Sequence, residues 1–206
     1  MPAFISWRHL DSDFQPPLSF EQKVGIFYDQ ALGWQLHIAD LLANGGRQFP
    51  AVVQGRNVKG SNSMVSPIRH SGFPVLQICL GHFETLGRYL GTRGKDRDAF
   101  VAGVHRVFPE WKTTSFADDL YHDARCQLYH NFRRLRVGLA LMRTSVRYDR
   151  ASRRMLLCPE RLPRRLKQHL RDYRRDLLAN PSSALAKAFA TQFDKDAGTR
   201  PWLAAS

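Results

Sequence analysis

The feature that most constrains how this chain folds is a long run of apolar residues spaced by threes and fours. Phe116, Leu120, Ala124, Leu128, Phe132, Leu135, Leu139 and Met142 keep that spacing without a break. At 3.6 residues per turn they line one side of a helix of about seven turns. The spacing predicts a central helix over 116–142, with this face turned into the core.

Shorter segments repeat the helical period. Val24, Phe27, Ala31, Trp34, Ile38, Leu41 and Leu42 mark a helix over 20–43, capped by Ser19 and stopped at Asn44, Gly45 and Gly46. Pro74 opens a second helix at a position where its missing N–H does no harm. Leu76, Cys79, Leu80, Phe83, Leu86 and Leu90 form the stripe of that helix, and Gly81 and Gly87 offer a neighbour close approach. A third helix over 97–108 carries Phe100, Val101, Val104 and Phe108, and Pro109 ends it. Beyond Pro159, the residues Leu162, Leu166, Leu170, Tyr173 and Leu177 predict a helix over 162–179, followed by a short one that starts at Ser183 and ends near Phe193. Trp7, Trp34, Trp111 and Trp202 are expected in the core or its seams.

The fold class expected is therefore all-α, a helical bundle around the long central helix, with room for one small β-hairpin over 145–158. Its 206 residues suit a single domain. The expected organisation is an N-terminal arm over 1–19, a helical domain over 20–180 with a long loop at 45–73, and a short helix and tail over 181–206.

Charge narrows the function. The chain carries 31 Lys+Arg against 18 Asp+Glu, a formal +13. Between Arg133 and Arg175 stand fifteen basic residues and three acids, so nearly all of the excess sits in about a fifth of the chain. Such a concentration favours a polyanionic partner. Arginine dominates it, and a guanidinium fork pairs with two phosphate oxygens at once. Arg133, Arg136, Arg164, Arg165, Arg171 and Arg174 are the candidate nucleic-acid contacts. The alternative is a solvated basic face whose aliphatic stems cover the core.

Other classes are poorly served. Cys79, Cys126 and Cys158 are an odd set without CxxC spacing, and no His cluster accompanies them, so neither zinc nor a disulfide framework is expected. Residues 1–20 lack a secretory pattern, and the richest apolar run, 137–142, is too short to cross a bilayer. A cytoplasmic protein with no cofactor, no metal and no membrane attachment is the expectation.

The candidate catalytic residues are Arg125 and His130. An Arg-x4-His spacing by itself carries little, because 24 arginines and eight histidines in a scrambled chain of this length give about one such pair, and Arg164 with His169 repeats it. Context distinguishes the first pair. On a regular helix Arg125 and His130 stand about 140° apart, and His122, Cys126, Tyr129 and Arg133 lie between them on the face opposite the apolar stripe. A second face of imidazoles, a phenol and guanidiniums is unlike ordinary solvent decoration.

Leu120 and Tyr121 before Arg125, Cys126, Leu128 and His130 resemble the motif helix of HEPN proteins, the higher-eukaryote and prokaryote nucleotide-binding family. The stretch Glu84 to Thr92 and the run Phe108 to Trp111 resemble the upstream part of uncharacterised bacterial HEPN-like proteins. The resemblance covers about residues 72–130. It implies an all-helical bundle, commonly a homodimer in which two motif helices meet, and in many members a metal-independent endoribonuclease of toxin–antitoxin, CRISPR-associated or phage-defence systems. Carried over, His130 would handle the proton of the RNA 2′-hydroxyl or the leaving oxygen, and Arg125 would stabilise charge on the scissile phosphate. RNA or another nucleic acid, a second copy of the chain, and an acidic antitoxin-like protein are the partners implied. Two residues depart from the pattern. Cys126 stands where active members place a polar residue, and Gln127 where the narrower group has glycine. A non-catalytic nucleic-acid-binding or scaffolding module is the alternative, with Arg125 bridged to Asp118 or Glu84 and His130 capping a neighbouring helix.

Overall fold

The computed structural model describes residues 6–10, 17–47, 52–53, 56–57, 63–127 and 136–198, with the backbone alone at 52–53 and 56–57. Helix α1 (Phe20–Ala31) begins at a capping box. The Ser19 hydroxyl accepts from the Gln22 N–H, and the Gln22 side chain accepts from the Ser19 N–H. A π-helical turn follows at Leu32–Leu36, and α2 (His37–Asn44) continues from it. Gly33 in that turn leaves the space taken by the Trp7 ring. Leu10 is buried, and Arg8 donates to the buried Asp29 at 2.7 Å, so residues 6–10 are tied to α1.

Helices α3 (Gly72–Tyr89) and α4 (Asp96–Val107) pack closely, antiparallel across a short connection. Gly87 lies against the Ala99 backbone, and Gly103 against the Phe83 backbone. A Cβ at either position would collide with main chain. Phe83 meets the rings of Phe100 at 5.7 Å and Phe108 at 6.0 Å, and this aromatic group anchors the core. Helix α6 (Leu162–Ala179) buries Leu162, Leu166, Leu170, Tyr173 and Leu177, and the Tyr173 hydroxyl donates to the Tyr89 carbonyl at 3.0 Å. Helix α7 (Ala184–Gly198) sets Phe189 against Phe27, Tyr89 and Tyr173.

The chain is not all-α. It is mostly helical with small sheets, and the expected class is corrected on that account. Within 45–73, β1 (Gly46–Arg47) pairs with β4 (Met64–Val65), and β2 (Val52–Val53) with β3 (Arg56–Asn57), both antiparallel. The larger correction concerns the central helix. Helix α5 (Phe116–Leu120) runs into a π-helical turn at Tyr121–Cys126, and Val137–Leu139 is strand β5, so the helix does not reach Met142. Strand β5 runs parallel to β7 (Arg154–Leu157), which pairs antiparallel with β6 (Val146–Asp149), giving the order β5-β7-β6. Leu139 fits the helical period, but Val137 and Leu139 also alternate, and alternation matches the sheet. Val137 is buried opposite Met155. Gly138, a poor helix former, lies so close to the Leu156 side chain that a Cβ there would crowd it. The ladder satisfies the backbone on both sides, with Met155 N–H donating to the Arg136 carbonyl and Ala140 N–H to the Leu157 carbonyl, each at 3.0 Å.

Where α3 faces α6, His82 is wholly buried and neither of its nitrogens has a hydrogen-bond partner. His169 on α6 is half-buried, its ring nitrogens likewise without a hydrogen-bond partner among the described residues, and it stacks on Tyr173. Burial, with His169 adding to it, pushes the His82 imidazole down to about 3. Burial, then Arg106 and Arg165, push His169 down to about 4 against the opposing pull of Asp172 and Asp176. In the unfolded chain both rings take up protons near 6.5. The unfolded state thus binds more protons below that pH, and stability falls as pH drops from 6.5 towards 4. Urea unfolding at pH 7 and pH 4.5 is expected to show this loss, and His82→Leu to make it smaller.

The glycine contacts give a second test. Gly87→Ala and Gly103→Ala are each expected to lower unfolding free energy by about 1–3 kcal/mol through overpacking. Gly81→Ala meets open space and is expected to raise it by about 0.5–1 kcal/mol. Urea midpoints of the three variants distinguish these outcomes.

Candidate functional site

Arg125 lies in the π-helical turn, with its side chain 26% exposed, and its guanidinium donates to Glu84 of α3 at 3.2 Å. Glu84 also stands 3.6 Å from Arg88, one turn further along α3, and Arg88 pairs with Asp96 at the start of α4. One carboxylate thus holds two guanidiniums at the edge of the α3–α4 pair. Of the two partners open to Arg125 from sequence, Glu84 is the one it takes, while Asp118 pairs with Arg97 at 2.5 Å. The π-helical turn also removes the basis for placing Arg125 and His130 by a 100° step, because its hydrogen bonds span five residues and each residue turns less. His130 and Arg133 lie outside the described residues. Such turns inside helices occur frequently at functional sites, and the described residues hold two, at Leu32–Leu36 and at Tyr121–Cys126.

A polar cluster just before Arg125 ties the sheet to this helix. Asp119 of α5 is buried and accepts from the Tyr148 hydroxyl at 2.5 Å, the Ser115 hydroxyl at 3.0 Å and the Arg153 Nε at 3.0 Å, with a second bond to the Arg153 guanidinium. Burial alone would raise the Asp119 carboxyl. The bonds from Arg153, Tyr148 and Ser115 outweigh it and hold the group below its ordinary value. Arg153 adopts the left-handed region at φ 52° in the β6–β7 turn, a conformation costly for a side chain of this size that its fork on Asp119 helps to hold. The Tyr148 ring packs on Phe116 and Trp111 at 5.4 and 5.7 Å, closing the seam.

That anchoring turns the other sheet face outward. Val146, Tyr148, Met155 and Leu157 point into the core, whereas Arg147 and Arg154 alternate with them and are exposed. Arg136, Arg143 and Arg150 are exposed on the same three-stranded unit. None of these five forms an ion pair among the described residues. The predicted contacts on α6 differ. Arg164 is 3.6 Å from Asp40, Arg165 donates to the Val107 carbonyl at 3.0 Å and lies over Phe108, Arg171 donates to Gln168 at 2.9 Å, and Arg174 lies over Tyr28. All four are exposed, yet each has a partner within the chain. The sheet arginines therefore have fewer internal contacts, although three of the four on α6 meet neutral groups and Asp149 shares the outer sheet face with Arg147. Arg143, Arg147, Arg150 and Arg154 were absent from the candidate contacts read from sequence, although the strand alternation around Tyr148 and Met155 was a signal for two of them.

No helix of the described residues is long and apolar enough to cross a membrane, and no group of three or more His, Cys, Asp and Glu side chains among them has the arrangement to hold a metal. Compared with known proteins, the chain matches no family model, no curated protein and no solved structure.

The Asp119 cluster generates a prediction. Asp119→Ala removes the acceptor for three donors and is expected to cost about 1.5–3 kcal/mol, in keeping with hydrogen bonds to a charged group. Tyr148→Phe, which leaves Arg153 and Ser115 in place, is expected to cost about 1 kcal/mol. Urea unfolding at pH 7 measures both, and equal losses would refute the assignment of Asp119 as the centre of the cluster.

Proposed function

We propose that this chain is an RNA-binding protein of HEPN-like character, whose arginine-bearing sheet face tracks the phosphate backbone. The observation that carries the reading is the exposure of Arg136, Arg143, Arg147, Arg150 and Arg154 without ion-pair partners among the described residues. Their position on a sheet held to α5 by Asp119 supports it, because a rigid platform loses little entropy when a strand docks. Arg164, Arg165, Arg171 and Arg174 extend the basic surface along α6 and would exchange weak internal contacts for phosphate.

A second reading adds chemistry. Arg125 is partly exposed, oriented by Glu84 and set in a π-helical turn, and these observations favour metal-independent cleavage in which Arg125 stabilises phosphate charge and His130 moves the proton. A positioned imidazole contributes about 10²–10⁴-fold in rate. This reading calls for a homodimer through the motif helix, and it admits an acidic antitoxin-like partner that covers the basic face. Action in the cytoplasm accords with both readings.

Binding is tested with a labelled RNA titrated at several salt concentrations. The double variant Arg147→Ala/Arg154→Ala is expected to flatten the salt dependence, each lost phosphate contact lowering the slope by about 0.7. An unchanged slope removes the sheet from the interface. Cleavage is expected to survive EDTA and to disappear in His130→Ala while RNA binding persists; cleavage that persists in His130→Ala overturns the nuclease reading.

A further inference from the structure

The π-helical turn at Leu32–Leu36 and the outer face of α3 enclose a surface groove of about 480 Å³, lined among others by Trp34, Gln35, Gln77, Ile78, Gly81 and Thr85. Among the described residues no charged one lines it, in a chain of net charge +13. Trp34 belongs to the apolar stripe by period, yet the residue is 48% exposed at the groove wall. Gly81 makes the hollow, since a Cβ there would meet nothing within 4 Å. The Gln35 Oε1 is shielded from water and has no hydrogen-bond donor among the described residues. When the Gln35 side chain turns toward the groove, a ligand N–H supplies the donor that this acceptor lacks. Further along α3 the same side reaches Glu84 and Arg88, and through Glu84 the Arg125 guanidinium. Gly81 and Arg88 are seven residues apart, about 10 Å at 1.5 Å per residue.

A flat indole, two carboxamides and an uncharged hollow beside a cationic edge select a planar, neutral heterocycle attached to a phosphate. We infer that the groove is a base subsite that takes an adenine of a bound RNA strand. The Trp34 indole stacks on the ring, and the Gln35 and Gln77 carboxamides meet its edge, where the exocyclic amine donates and N7 accepts. The inference rests on the RNA-binding reading above and deepens it. The basic sheet supplies affinity without regard to sequence, and the groove supplies a base preference.

The test uses the full chain with labelled octamers of riboadenylate and ribouridylate, and with free adenosine read by tryptophan emission. Wild type is expected to bind the adenylate octamer about tenfold more tightly, in the range that one stacked base contributes. Gly81→Leu, which fills the hollow, and Gln77→Leu, at an exposed position that the fold tolerates, are expected to abolish that preference and leave uridylate binding unchanged. Adenosine is expected to quench wild-type emission and to leave Trp34→Phe unaffected. A preference that survives both leucine variants, with melting temperatures unchanged, overturns the inference. So does a Gly81→Leu protein that keeps the preference but sediments as a smaller species than wild type, which makes the groove a contact between copies. If no octamer binds while adenosine quenching is present and lost in Gly81→Leu, the RNA reading fails and the base site stands. Octamers bound with the expected salt slope but without preference sink the base site alone.

Discussion

The rest of the structure depends on how closely α3 and α4 approach. Gly87 against Ala99 and Gly103 against Phe83 bring two backbones into contact where most helix pairs are held apart by side chains. That approach lets Phe83 reach both Phe100 and Phe108, and it presents the outer flank of α3, with Glu84 and Arg88, at the edge of the bundle. Arg125 gains its orientation from this flank. A larger residue at either glycine would spread the pair and loosen the core and the candidate site together.

Charge in this molecule is sorted by what surrounds it. Four carboxylates that are partly or wholly buried hold cations: Asp29 holds Arg8, Asp40 holds Lys167, Glu84 holds Arg125 and Asp119 holds Arg153. These pairs join segments distant in sequence, and their value lies in geometry more than in net energy, since desolvation offsets much of the attraction. Part of the arginine left over is displayed on the three-stranded unit, Arg147 and Arg154 on its outer face and Arg136, Arg143 and Arg150 beside the strands. A +13 chain thus keeps an ordinary apolar core and carries its unneutralised charge where a polyanion has access.

Helix α6 was legible in the sequence to the residue, because five apolar side chains on one face and basic residues elsewhere leave only one way to bury it. Helix α4 was read within a residue at each end, and α3 began two residues ahead of Pro74. The β6–β7 hairpin was read in the right place. The stretch 137–142 misled, since Leu139 satisfies both a helical and an alternating period, and only a partner strand decides between them. Trp34 and Ile38 misled for a related reason. Their spacing is that of a buried stripe, but the π-helical turn shifts the phase and leaves Trp34 48% and Ile38 43% exposed. The candidate site was legible as a set of residue types and not as an arrangement: Glu84 stood among the alternatives for Arg125, whereas the arginines of the hairpin did not stand out from those of α6.

Sequence alone determined the helical segments with a single unambiguous apolar face, the close approach at Gly87 (Gly81, read the same way, meets open space, and Gly103 was not singled out), and the concentration of positive charge between Arg133 and Arg175. These follow from side-chain size, period and formal charge, which are local properties. Tertiary structure alone decided that Val137–Leu139 joins a sheet, that Arg125 turns to Glu84 while Asp118 goes to Arg97, and that Arg153 of the hairpin turn takes Asp119 while Arg147, Arg150 and Arg154 form no ion pair among the described residues. Each of these outcomes depends on which distant group arrives within a few ångströms, and neither period nor composition records that distance.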